Sequence, residues 1–279
     1  MTRQIELTDA MRAFLAKSPE AHKYDYGHAL VLSGGPGKGG AARLAARAAL
    51  RVGAGLVTVL APKPAMAEHA AQLTAIMLDC LPDAYALRGM LKDARLNALC
   101  LGPGLGLPRA QEMVPAALWG QRATVLDADA LSAFADDPER LFNALHPRCV
   151  LTPHMGEFRR LFPDLAALED RAEATRAAAA RAGCTVLLKG SVTTVADQIG
   201  QIAHHDATGA HAAPWLATAG SGDVLAGIIT GLLARGAAPF EAACSGAWLH
   251  AEAARSFGPG LIAEDLPEEL PKIFRKLGV

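Results

Sequence analysis

The chain carries almost no net charge: 27 basic and 28 acidic residues leave −1 at pH 7. The two signs are interspersed, so there is no electrostatic footprint for nucleic acid or an anionic membrane surface. A long apolar run is also missing. The longest, Val224 to Ala234, falls well short of the roughly 20 residues that cross a bilayer, and the mixed stretch MTRQIELTDAMRAF is not a secretion signal. Cys80, Cys100, Cys149, Cys184 and Cys244 are odd in number, widely spaced and form no CxxC. That excludes a disulfide framework and suits reduced thiols in a cytoplasmic protein. No internal repeat or low-complexity linker interrupts the chain, so no second domain is expected. With 279 residues, 51% of them hydrophobic, the chain can bury a large core, and residues 1–279 are expected to form one three-layer α/β domain.

The apolar runs are short and end repeatedly in glycine or acid. Ala29 to Leu32 reads as a buried strand entering SGGPGKGGAA, followed by an alanine-rich helix from Ala41 to Arg51. Strand, glycine loop and helix form a ligand-binding arrangement. Gly35, Gly37 and Gly40 match GxGxxG, but the next strand, Leu56 to Leu60, ends in Ala61 and Pro62, and the first acid after the loop is Glu68. The ribose-binding acid of a dinucleotide fold is therefore missing. A P-loop fails too, because Lys38 is followed by Gly39 rather than a hydroxyl residue. A loop over a substrate and a plain turn remain open.

Further strands are expected at Ala75 to Leu78 and at Ala98 to Leu101, the latter running into GPGLG at Gly102 to Gly106. Val125 and Leu126 end a strand at Asp127 and Asp129, which could hold magnesium through water or cap the following helix. Val150 and Leu151 lead into TPHMGEF, where His154 and Glu157 are too few for a metal site. His154 is read as a rim hydrogen-bonder or a surface residue, and Glu157 as a helix cap. Arg171 to Arg181 is a helix whose charges read as a solvated face, closed by Gly183. Thr185 to Leu188 is a strand ending at KGSVTTVAD, with Lys189 a point charge suited to phosphate. Val192 to Ala196 and Gln201 to His204 read as a hairpin.

The stretch ATAGSGDVLAGIITG, Ala217 to Gly231, organises the rest. Leu225, Ile228, Ile229, Leu232 and Leu233 recur at helical spacing, so a helix starts near Ser221, and Gly236 stops it. Gly220, Ser221 and Gly222 are small enough to leave first-turn N–H groups open to an anion. Asp223 lies in that first turn, where the helix dipole favours its ionised form, poised to take a hydroxyl proton. An anion hole beside a carboxylate suits phosphoryl transfer to an alcohol. A glycine-rich N-cap with no ligand is the alternative. A second helix is expected from Pro239 to Phe257, with His250 in packing rather than catalysis, and a tail helix near Leu270 to Leu277.

ATAGSGDVLAGIITGLLARG, with SGGPGKGGAA, LGPGLG, TPHMGEF and KGSVT in order, resembles the signature of the ribokinase-like ATP- or ADP-using enzymes, and most of all the ADP-dependent NAD(P)H-hydrate dehydratases. The likeness spans about His22 to Phe274. It departs at His22, Lys23 and Tyr24, where the family often has HKG, and at Ala213, Pro214 and Trp215, where an Asn-Pro-Gly-like turn is common. The resemblance implies a three-layer α/β/α fold with a mostly parallel central sheet. It implies repair of hydrated NADH or NADPH by phosphoryl transfer from ADP to the ring hydroxyl and elimination of phosphate. Asp223 is then the catalytic base, and Ala41, Gly104, Gly106 and His154 line the substrate with it. Lys189, Gly190, Ser191, Val192 and Thr193, with Gly220, Ser221 and Gly222, hold the nucleotide, and Mg2+ bridges its phosphates without a protein metal site. A homotetramer is implied, as is a separate epimerase partner, since no epimerase domain precedes this region. The rivals are a ribokinase-like kinase of a vitamin-precursor alcohol, which would release a phosphorylated product, and a non-catalytic nucleotide-sensing module.

Overall fold

The computed structural model describes residues 3–279. Among these, ten strands form one sheet: β1 (Arg3–Gln4), β2 (His28–Leu32), β3 (Leu56–Ala61), β4 (Met77–Cys80), β5 (Leu96–Leu101), β6 (Ala123–Leu126), β7 (Cys149–Leu151), β8 (Thr185–Leu188), β9 (Val192–Ala196) and β10 (Ile202–Asp206). Their spatial order is β1-β10-β9-β8-β7-β6-β5-β2-β3-β4. Every neighbouring pair is parallel except β8 with β9 and β9 with β10, the two antiparallel pairings around the hairpin. The connecting helices are α1 (Asp9–Leu15), α2 (Gly40–Arg51), α3 (Met66–Ala70), α4 (Ala84–Met90), α5 (Leu107–Trp119), α6 (Asp129–Ser132), α7 (Pro138–Phe142), α8 (Met155–Leu161), α9 (Arg171–Ala182), α10 (Ser221–Ala234), α11 (Pro239–Phe257) and α12 (Asp265–Leu277).

The inner strands are buried on both faces and need no polar side to reach water, so they read as unbroken apolar runs. Alternation then assigns each residue a face. Ala29, Val31, Val59, Cys100, Val125 and Val150 pack against α2, α10 and α11 in one core layer. Leu30, Leu32, Leu60, Leu101, Leu126 and Leu151 face the other way, onto α5, α8 and α9. The helices cover both sides, which is the expected three-layer α/β/α arrangement.

Several boundaries differ from expectation: β5 starts earlier, at Leu96, β10 runs Ile202–Asp206, and two further cases have a clear cause. β4 begins at Met77, not Ala75, and includes Asp79. It is the edge strand, so one flank faces solvent and an acidic residue is tolerated there. The tail helix begins at Asp265 rather than Leu270. Pro267 falls in its first turn, where a missing N–H leaves no bond unmade, so the proline does not delay the start. All five cysteines are unpaired, four of them buried. No helix of the described residues is long and apolar enough to cross a membrane.

The carboxyl ends of the parallel strands deliver the glycine loops and acids to one rim, as expected for an open α/β sheet. Above that rim α10 starts, set by unusually close packing on α2. A Cβ on Gly227 would lie 2.1 Å from the Ala45 carbonyl oxygen, so only glycine lets the two backbones approach this closely.

Candidate active site

The first turn of α10 is built by Gly220, whose φ of +88° only glycine adopts without strain. Gly220 offers no side-chain cap, and Val224 N–H closes the first turn on the Gly220 carbonyl at 3.1 Å. Among the described residues the N–H groups of Gly222 and Asp223 have no hydrogen-bond partner. These are the orphan donors that attract an anion at a helix start. The Ser221 hydroxyl is turned away and donates to the Leu216 carbonyl at 2.7 Å, so Ser221 contributes backbone rather than side chain.

The helix dipole alone does not set the acidity of Asp223. The dipole of α10 favours its charge, but burial and the neighbouring Asp127 carboxylate push its carboxyl up to about 6, against the pull of Lys189. Desolvation outweighs the dipole because the side chain is largely enclosed by the strand ends. At pH 7 such a group is ionised by about ten to one, and as a base it is better matched to neutral pH than an ordinary carboxylate.

Lys189 is not a free point charge. Its ammonium donates to Asp127 Oδ1 at 2.6 Å, with the lysine side chain 20% exposed and the aspartate 2%. Burial alone would lower the lysine, but the Asp127 and Glu157 carboxylates raise it, so it stays charged. The pair sits beneath α10: a Cβ on Gly222 would be 3.5 Å from Lys189 Nζ and 3.9 Å from Asp127 Oδ2. Asp129 accepts from Gly106 N–H at 2.8 Å, tying the start of α6 to the head of α5, and its charge also reaches Asp223. Between the two acids, Ala128 has φ +46° and ψ −116°, a strained conformation for a residue with a Cβ. Both acids are thus engaged by protein donors. Among the described residues no group of three or more His, Cys, Asp or Glu could hold a metal.

The expected substrate residues converge from three loops. A Cβ on Gly34 would sit 1.9 Å from the Gly104 carbonyl oxygen, and one on Gly104 would sit 3.4 Å from Ala41 Cβ. Ala41 and Gly104 therefore face each other, and Gly106 stands at the N-cap of α5. Leu44 of α2 reaches the α10 turn, since a Cβ on Gly220 would lie 2.8 Å from Leu44 Cδ1 and 3.9 Å from Asp223 Oδ2. His154 caps α8: its Nδ1 accepts from Gly156 N–H at 2.8 Å, while Glu157 Oε2 accepts from His154 N–H at 2.8 Å. An accepting Nδ1 places the neutral ring's proton on Nε2, on a side chain that is 55% exposed. Glu157 is the cap expected, with its carboxyl raised by burial.

The segment from Gly190 to Thr193 turns β8 into β9. Thr193 Oγ1 donates to the Gly190 carbonyl at 3.1 Å, and the Ser191 carbonyl accepts from Ala207 N–H at 2.9 Å. Val192 opens β9.

One contributor escapes the sequence, and for a second the sequence shows only its burial. Arg171 is not on a solvated face: it is half-buried and donates to the Leu188 and Lys189 carbonyls at 3.1 and 2.6 Å, fixing the strand end that carries Lys189. Nothing in an alanine- and arginine-rich helix singles it out. His250 lies on α11, buried as expected, and its Nε2–H donates to the Ser221 carbonyl at 2.8 Å. Burial lowers its pKa to about 4, so it is neutral. It pins the turn that presents the orphan N–H groups.

Residues 29–275 match the family described as NAD(P)H-hydrate dehydratase. The ADP-dependent (S)-NAD(P)H-hydrate dehydratase of Neisseria meningitidis serogroup B is 38% identical over 263 residues, covering 91% of this chain and 86% of that protein. The bifunctional NAD(P)H-hydrate repair enzyme of Moorella thermoacetica is 41% identical over 281 residues, covering 94% of this chain and 52% of that protein. The chain thus spans about half the length of the bifunctional relatives it matches. The ADP/ATP-dependent NAD(P)H-hydrate dehydratase of Bacillus subtilis, co-crystallized with ATP/Mg2+, superposes with a TM-score of 0.77 at 28% identity over 97% of both chains. By sequence over nearly its whole length, and with its rim loops assembled around the α10 turn, this chain belongs to the NAD(P)H-hydrate dehydratase family.

Proposed function

We propose that the protein restores NADH or NADPH from the 6S hydrate, using ADP and releasing AMP and phosphate. The observation that carries this reading is the half-buried Asp223, its carboxyl raised to about 6, beside the orphan N–H groups of Gly222 and Asp223 and above the Asp127–Lys189 pair. Asp223 takes the proton of the ring hydroxyl as the hydroxyl oxygen bonds the terminal phosphorus of ADP. The bond from that phosphorus to the bridging oxygen breaks and AMP leaves. The ring nitrogen's lone pair then expels phosphate, and the neighbouring carbon loses a proton to re-form the double bond. The N–H groups of the Gly220 to Gly222 turn steady the moving phosphoryl group. Lys189 to Thr193 support the nucleotide, Lys189 acting as one half of an ion pair that keeps the floor of the site nearly neutral. Ala41, Gly104, Gly106 and His154 line the acceptor side.

Asp127 Oδ1 and Asp129 Oδ2 each accept from a protein donor. Any Mg2+ belongs to the nucleotide's own phosphates, and no step here depends on it. The reading takes the chain as one catalytic unit, a homotetramer in the cytoplasm, served by an epimerase on a separate chain. Sedimentation or scattering that finds only monomer removes the tetramer.

The test is recovery of dihydronicotinamide absorbance from chemically prepared NADH hydrate with ADP, with ATP and with neither. Recovery with ADP, leaving AMP and phosphate, is the expected result. A stable phosphorylated alcohol in place of free phosphate would move the protein to the vitamin-precursor kinases.

A further inference from the structure

The glycine loop between β2 and α2, residues 34–40, rests on Gly104 at both ends. Gly34 packs against the Gly104 carbonyl, and a Cβ on Gly104 would lie 2.8 Å from the Lys38 carbonyl oxygen. The tip, Pro36 to Lys38, is exposed. What holds it down comes from α3. Glu68 Oε2 accepts from Gly37 N–H at 2.7 Å, a bond strengthened by the carboxylate charge. Under the stem of the loop, His69 is fully buried and its Nε2 meets Ser33 Oγ at 2.8 Å. Ser33 Oγ donates in turn to the Gly34 carbonyl at 3.3 Å, so the ring supplies the Nε2–H and its Nδ1 is left as an acceptor.

This clasp leaves groups unsatisfied. Glu68 Oε1 and His69 Nδ1 are buried acceptors with no donor, and such orphans are rare in folded proteins. Both belong to side chains that crowd one face of Gly39. A Cβ on Gly39 would lie 2.7 Å from Glu68 Oε1, 2.8 Å from Arg43 Nη1 and 2.8 Å from His69 Cε1. Arg43 is the complementary orphan: among the described residues it forms no ion pair, whereas Arg47 and Arg51 both pair with Glu268. A cavity of about 300 Å³ lined by Gly37, Gly39, Arg43, Glu68 and Gln72 leaves the carboxylate and the guanidinium room to close on each other. The Glu68 carboxylate therefore has two partners within reach, the loop tip and Arg43, which is the makeup of a two-state element.

Resting on the function proposed above, we infer that Glu68 is a positioning residue for the acceptor side: its carboxylate holds the glycine loop down on Gly104 while the hydrate reacts, and trades the Gly37 N–H for the Arg43 guanidinium when the loop lifts to let the hydrate pass. With the loop down, water is kept from the phosphoryl group at the α10 turn. Glu68 acts only through the loop.

The test reads the loop first and the reaction second. Lys38 at the exposed tip is a trypsin site, and cutting after it, followed by mass spectrometry, reports how often the loop lifts. Glu68→Ala is cut there roughly tenfold faster than wild type, as expected for the loss of one hydrogen bond to a charged group. Glu68→Gln, whose amide oxygen still accepts from Gly37 N–H, stays close to wild type. Gly39→Ala behaves like Glu68→Ala, because a φ of −80° suits alanine while the added Cβ displaces the carboxylate. In turnover, Glu68→Ala raises KM for the hydrate about tenfold, leaves KM for ADP unchanged and increases ADP hydrolysis in the absence of hydrate. Equal cutting of wild type and Glu68→Ala overturns the inference, as does failure of Glu68→Gln to rescue. Faster cutting at every lysine and arginine with a lowered urea midpoint marks general destabilisation and overturns it too, and so does an unchanged KM for the hydrate in a variant whose tip is cut faster. Glu68-dependent cutting at Lys38 with no turnover of any hydrate supports the clasp and removes the proposed reaction instead.

Discussion

The two faces of the sheet are built from different materials. On the face that carries α2 and α10, the strands and α2 present mainly Ala, Val and Cys, Leu and Ile come largely from α10, α11 and α12, and α2 and α10 meet almost backbone to backbone. The face under α5, α8 and α9 is Leu and Phe, including the stacked Phe142–Phe162 pair at 5.0 Å. Small residues leave few rotamers and little room to repack, so the helix that presents Asp223 is held rigidly in place. The other face packs larger side chains, which have more freedom to readjust when one of them is trimmed.

The comparison is broken most strongly at the rim. Asp223→Asn should lower turnover by about 100- to 10,000-fold while ADP still binds, as read by steady-state kinetics and nucleotide titration. The same change should stabilise the fold. The carboxyl titrates near 6 when folded and near 3.9 when unfolded. The native state therefore holds more protons between those values, and stability falls as pH rises through that window. Asn removes the penalty, on the order of 1–3 kcal/mol at pH 7, and Tm should rise by a few degrees in calorimetry.

On the small-residue face, Gly227→Val forces side-chain atoms into Ala45 backbone and should cost about 3–5 kcal/mol in urea unfolding. On the leucine face, Leu126→Val should cost only about 1–1.5 kcal/mol. Equal losses would show that the two layers are not mechanically distinct. Lys189→Met leaves Asp127 buried without its cation, and about 2–4 kcal/mol should be lost.

The kcat/KM profile should fall on the acid side near pH 6, since Asp223 must be ionised to act, and Asp127→Asn should move that limb to lower pH by removing a repelling charge. An unmoved limb would assign it to another group. The smallest effect is Ala128→Gly, which relieves the positive-φ strain between the two acids and should add about 1 kcal/mol.

Most strands and helices were legible because burial on both faces forces unbroken apolar runs, and glycines mark where those runs stop. β4 was displaced because an edge strand needs burial on one flank only. The GSGD turn and the Glu157 cap were likewise within reach, since each depends on local backbone geometry, whereas the meeting of Gly104 with Ala41 is a contact between distant loops. Arg171 was not. A helical arginine looks the same in sequence whether it faces water or a strand end.

Residue order alone determined the layered α/β fold, the glycine loops at the strand ends and the placing of Asp223 in a helix's first turn, because these follow from periodicity and backbone sterics over a few residues. The folded chain decided the charges. Asp127 and Lys189 are 62 residues apart and meet at 2.6 Å, and Asp223 is raised by burial and neighbours from other strands. Electrostatics depends on distance and desolvation in space, and neither is fixed until β6, β8 and α10 stand side by side.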